Sequence, residues 1–262
     1  MKKTIVLLAL AGLVLALAPT AQADTVVQTS SADLNLTGRD VLAAVNFYDP
    51  GRIGEGQRTV GTIQGVDFDD FSINDDDTGS PIALSAGADG ATLSTVISQS
   101  VGREFNNPAL FGTFTGPDAT EAENLANGGA YFQDSVGATL TFAFGESYED
   151  TDVDVQMLGG GTWARTDRTG KLIMSIDGEE LGGLEDRGTP DLLTFEATTD
   201  DSGNLVIEIE NGLSDLNTTD PPGTERRYTM LTGTIVTAVP EPATMSLLAL
   251  GGLAMLRRRR RA

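Results

Sequence analysis

Between residues 24 and 238 apolar side chains recur mainly at every second position, in short runs broken by Gly, Asp, Asn and Pro. Side chains alternate across a strand, so this rhythm predicts antiparallel strands joined by turns. Nine runs carry it: residues 41–47, 66–71, 109–115, 138–144, 153–158, 172–176, 192–197, 205–210 and 229–236. In Leu140-Thr141-Phe142-Ala143-Phe144 the large residues hold the even positions and are expected to face a core. In the run from Asp152, Val153, Val155 and Met157 alternate with polar groups, which predicts one buried and one wet face. Asp177-Gly178, directly after a strand run, is a hairpin signal. Asp200-Asp201-Ser202-Gly203-Asn204 marks a second turn. One helix is expected, over residues 119–126, with acids near its start where the helix dipole favours them.

No internal repeat and no long amphipathic helix pattern interrupts this reading. Together with 31 glycines, the nine runs predict an all-β fold, an antiparallel β-sandwich of jelly-roll type. With 40 % apolar residues the chain can bury a core, which excludes global disorder. No Pro- or Ser-rich linker divides residues 24–238, so they are read as one domain.

The two ends break the pattern. Lys2 and Lys3 precede an apolar run over residues 5–18, and Ala21-Gln22-Ala23 supplies small residues two apart before Asp24. That order describes a signal peptide over residues 1–23, a signal helix cut by signal peptidase at Ala21 and Ala23, with mature protein starting at Asp24. At the other end Pro240-Glu241-Pro242 precedes residues 243–256, all apolar or small, and then Arg257, Arg258, Arg259, Arg260 and Arg261. As a helix the 14-residue apolar run would cover roughly 21 Å, short of a ~30 Å hydrocarbon core, so it suits transient anchoring in the inner membrane. The arginines stay cytoplasmic and the body lies outside. Prolines on both sides of Glu241 keep the motif out of the helix.

These three ordered elements, spanning residues 239–262, resemble the PEP-CTERM sorting signal of Gram-negative bacteria. The resemblance implies recognition by an exosortase, a membrane-embedded cysteine transpeptidase. It further implies removal of the apolar tail near Pro240, Glu241 and Pro242, and delivery to the cell surface or an extracellular polymer matrix.

Charge refines the picture. The chain totals −21, but residues 24–239 hold 37 acids and 10 bases, leaving the exported body at −27. Such a surface repels nucleic acid and anionic lipid, and its self-repulsion favours a saline setting or bound cations. The absence of His and Cys removes thiol nucleophiles, Cys-ligated metals and the usual neutral-pH base.

The succession of strands over residues 138–236, including Ser175-Ile176-Asp177-Gly178-Glu179 and Leu231-Thr232-Gly233-Thr234-Ile235, is similar to malectin-like and galactose-binding-like jelly rolls. That resemblance implies a carbohydrate-binding module, although the chain lacks their wealth of aromatics.

Trp163, the sole tryptophan, lies in a glycine-rich stretch with Arg165 and Arg168. An aromatic platform beside hydrogen-bonding groups is how a sandwich binds sugar rings, whereas a Trp folded back would cap the core. Asp67, Asp69, Asp70, Asn74, Asp75, Asp76 and Asp77 offer hard oxygens for calcium, but the EF-hand spacing is missing, Asp67, Phe68 and Asp69 read equally well as an alternating strand, and a solvated acidic loop is the preferred reading. No other metal and no cofactor is expected. Asp150, Asp152 and Asp154 read as a solvated strand face, and Arg103-Glu104 and Arg226-Arg227 as surface ion pairs. These features point to a non-enzymatic exported surface or matrix protein that binds polysaccharide. The alternative is a carboxylate-dependent glycan hydrolase or lyase.

Overall fold

The computed structural model describes residues 24–27, 31–47, 59–72, 79–97, 103–106, 114–133, 137–160, 170–185, 190–212 and 228–239. The expected signal helix and C-terminal helix lie outside them. The strands are β1 (Asp24–Val27), β2 (Asp40–Asn46), β3 (Asp69–Asp70), β4 (Ile82–Ala83), β5 (Thr92–Ile97) and β6 (Arg103–Asn106). After the helix α1 (Ala119–Asn127) come β7 (Gly128–Gln133), β8 (Gly137–Ala143), β9 (Asp152–Gly160), β10 (Lys171–Ile176) and β11 (Glu179–Glu185). The last are β12 (Pro190–Thr198), β13 (Asn204–Gly212) and β14 (Tyr228–Ala238).

They form two sheets. The first runs β1-β12-β9-β14-β2-β3, with β7 against β14 and β6 against β7; the second runs β11-β10-β13-β8-β5-β4. The pairs are antiparallel except β2 with β3. β2 and β5, from the first hundred residues, are interior strands of the first and second sheet respectively.

The core between the sheets contains Leu140, Phe142, Phe144, Leu205 and Ile207 from the second sheet and Val153, Val155, Met157, Leu193 and Val236 from the first. The even-numbered large residues of β8 therefore face inward, as their alternation predicts. The expected wet face of β9 is only partly so. Leu158 is buried in a second core on the far side of the first sheet, and Gln156 is buried as well. There Leu158, Leu192, Ala44 and Ile235 pack under Leu125 and Ala126 of α1 and under Leu34, Leu36 and Ile63. The first sheet is thus covered on both faces over much of its middle, which makes the molecule three layers deep. Burial on both faces explains why β2 and β14 read as nearly continuous runs of apolar or threonine residues rather than as alternation.

The covering layer is held by polar contacts. Glu121, in the first turn of α1, accepts the Gly61 N–H at 2.6 Å, and Asp118 accepts the Gln64 N–H at 2.8 Å. The Gln64 side-chain oxygen in turn accepts the N–H groups of Leu36 and Thr37 at 2.8 and 3.1 Å.

β14 is the hinge of the topology. β9 lies along one edge, while the other edge serves β7 over residues 228–231 and β2 from Gly233 onward. An irregularity between Leu231 and Gly233 permits this fork, and there Thr232 C=O accepts the Phe47 N–H at 2.9 Å. Close approach at the fork requires Gly159, because a Cβ there would stand 2.0 Å from the Met230 carbonyl oxygen.

The Asp177-Gly178 pair closes the β10–β11 hairpin, with φ of 52° and 76°, the positive pair that a two-residue hairpin turn demands. One expectation needs correction. The run 66–71 supplies only the two-residue β3, because the Val66 backbone N–H and C=O are taken up by Ile63 in a local bridge and the ladder with β2 begins only at Asp69. Residues 109–113 of another predicted strand lie outside the described residues. β4, β7 and β11 arise where glycine or short length hides the alternation, whereas in β5 the buried positions are Leu93 and Thr95, so a buried threonine hides it.

Candidate functional site

The end of the sandwich where β14 finishes is the best defined feature with a functional connection. β14 lies centrally, and at its last residue Ala238 pairs with Asp40 of β2 and Val153 of β9. One residue further the Val239 N–H donates to the Asp152 carbonyl at 2.9 Å. The chain is therefore held in the sheet up to Val239, and Pro240, which has no N–H, comes next.

Around this exit two connections cross between the sheets. The first, from β8 to β9, contains the 3₁₀ turn Glu146–Tyr148; the second, from β12 to β13, is the turn around Asp200. They are stitched together by Asp150 N–H to Asp200 C=O at 3.3 Å and Thr199 N–H to Thr151 C=O at 3.0 Å. Asp40, Glu146, Glu149, Asp150, Asp152, Asp200 and Asp201 are all exposed here. Arg39, the base described beside them, is bound to Asp154. Both partners of that pair are partly shielded, with 29 % and 18 % of the side chains exposed, so the pair is screened less than a fully wet one.

Asp200 organises its turn. It accepts the N–H groups of Asn204 and Ser202, both at 2.8 Å, and the Asn204 amide at 3.0 Å. The bonds from Asn204, then Ser202, hold its carboxyl below the ordinary value of 3.8, so it stays charged. Asp152 accepts the Thr198 hydroxyl at 2.9 Å. The solvated face expected for Asp150, Asp152 and Asp154 thus holds for the first two, whereas Asp154 has a cationic partner.

The acidic cluster at 67–77 divides. Asp69 accepts the Ser85 and Ala86 N–H groups, both at 2.8 Å, and Asp67 accepts the Thr62 hydroxyl. Asp70 accepts the Asn46 amide at 2.7 Å. Burial pushes the Asp70 carboxyl up, the Asn46 amide opposes that, and the adjacent Asp69 charge adds to it. These carboxylates pin loops to the sheet, and among the described residues no three acidic groups converge on a metal position. Asn74, Asp75, Asp76 and Asp77 lie outside the described residues.

Trp163, Arg165 and Arg168 also lie outside them, as do Arg226 and Arg227. The residues bracketing the tryptophan stretch, Gly160 and Gly170, stand at the far end of β9 and just before β10. β9 runs nine residues from Asp152, so that end is roughly 26 Å from Val239. The processing residues Ala21, Ala23, Pro240, Glu241, Pro242, Arg257, Arg258, Arg259, Arg260 and Arg261 are outside the described residues too. No described helix is long and apolar enough to cross a membrane.

Residues 238–261 match the family model of the PEP-CTERM protein-sorting motif. No curated protein matches the chain. The sorting signal makes the protein an exosortase substrate that is exported to the surface or extracellular space. The match begins at Ala238, the last residue of β14, so the signal is joined to the folded body without a spacer.

Proposed function

We propose that the protein is a non-enzymatic component of the cell surface or extracellular matrix, and that its sandwich binds polysaccharide through the stretch holding Trp163, Arg165 and Arg168. The observation that carries the reading is the sorting signal placed directly after the central strand of a complete two-sheet body. Signal peptidase removes residues 1–23, exosortase cuts near Pro240, and the short apolar run holds the chain in the inner membrane only between those events. Gly160 and Gly170, which bracket the Trp163 stretch in the sequence, stand at the end of the sheets opposite Val239, which supports a binding role separate from the tail. Indole stacking on a sugar face, with guanidinium groups pairing its hydroxyls, is the chemistry these residues supply.

Glycan arrays and reducing-sugar assays on residues 24–239 test the binding. Binding without release of sugar ends is expected; release would establish the hydrolase or lyase instead. Trp163→Ala should abolish binding and leave Tm within a few degrees, whereas a large drop in Tm would make Trp163 a core cap. For the sorting step, intact-mass measurement on surface material should show residues 257–261 absent, and finding them attached would refute processing.

A further inference from the structure

Val239 is fixed in the sheet by its bond to Asp152, and the apolar run starts at residue 243. Extended chain spans at most about 3.6 Å per residue, so the sheet end lies within roughly 15 Å of the membrane-embedded segment. The first sheet is several strands wide at ~4.8 Å spacing, broader than that gap. Any enzyme that grips Pro240, Glu241 and Pro242 while the body is folded must therefore touch the sheet end around Val239. That end is lined by exposed carboxylates, including Asp40, Glu149, Asp150 and Asp201, and Arg39 is engaged with Asp154. Anionic lipid repels such a surface at this range, within about a Debye length or two.

We propose that the acidic sheet end around Val239 is the surface by which the body docks on its membrane-embedded processing enzyme, the facing surface of that enzyme being basic. The proposal rests on the tail being an exosortase substrate. It adds to that reading a second recognition element, in the folded body and outside the sorting signal. Opposite charges at the rim of such a contact act chiefly by speeding productive encounter, and their removal slows it.

The test is pulse-chase in cells of the native source, following loss of the arginine tail by intact mass. One variant carries Asp40→Asn, Glu146→Gln, Glu149→Gln, Asp150→Asn and Asp201→Asn. A control changes total charge equally on the second sheet, with Asp177→Asn, Glu179→Gln, Glu180→Gln, Glu208→Gln and Glu210→Gln. Processing should slow about tenfold in the first and stay at the native rate in the second. A Gly/Ser spacer between Val239 and Pro240 should make the neutralised and native ends equivalent, because the body is then no longer forced against the enzyme. The single changes Asp40→Asn and Glu149→Gln should each give a smaller slowing, which preserves the test if the fivefold variant melts early. Equal or faster processing of the neutralised end overturns the docking surface, as does the same slowing in the control or in the spaced chain. A native chain that keeps its arginines overturns the sorting reading and the docking surface with it.

Discussion

Asp200 shows how one residue can set both geometry and pH response. Its three accepted hydrogen bonds lower its pKa relative to the unfolded chain, so its contribution is full above about pH 3.8 and is lost as pH falls through the lowered folded value. Asp200→Asn should lower Tm by a few degrees at neutral pH and flatten the acid limb of Tm against pH. Superimposable acid limbs for the two proteins would remove Asp200 from that role. Gly159 is the steric counterpart. A methyl group there meets the Met230 carbonyl 2.0 Å away, so Gly159→Ala should cost about 1–3 kcal/mol in denaturant unfolding by prising β9 from β14 at the fork. A neutral effect would mean that the two strands part freely at that point.

At the scale of elements the covering layer matters most. Leu125 of α1 and Leu140 of β8 are both fully buried, in different cores on opposite sides of the first sheet. Leu125→Ala and Leu140→Ala are each expected to cost about 2–5 kcal/mol. Because both cores share β9 and β14, fluorescence and circular dichroism should report the same single transition in each variant. An early separate melting of α1 in Leu125→Ala would show that the layer is an accessory. The hairpin at Asp177-Gly178 was readable from two letters, and so was the alternation in β8. The two-sided burial of β9 was not, because Gln156 looks polar in the sequence and only the layer above it removes it from water. Nor was the shortening of the run at 66–71, where Val66 bridges locally to Ile63.

Across the whole molecule charge is unevenly placed. A body at −27 should gain stability as salt screens its self-repulsion, and Tm is expected to rise by several degrees from low to high ionic strength. A Tm that falls on adding salt would point instead to attractive pairs such as Arg39–Asp154 as the dominant electrostatic contribution. The candidate sites divide in the same way. The sorting signal was legible because its chemistry lies in residue order alone: proline, acid, proline, an apolar run and arginines. The acidic sheet end was not, since Asp40 lies more than a hundred residues before Glu149 and Glu149 lies 52 before Asp201, and they meet only through the pairing of β2, β14, β9 and β12.

The sequence by itself determined the sorting address, the all-β class, the main turns and the exclusion of histidine and cysteine chemistry. Each of these depends on local order or on composition, which folding does not alter. Tertiary structure alone decided which polar faces are wet, that β14 is the shared central strand, and that the sorting signal leaves from the middle of an acidic end. Those properties depend on contacts between distant segments, and local periodicity holds no information about which strand becomes the neighbour of which.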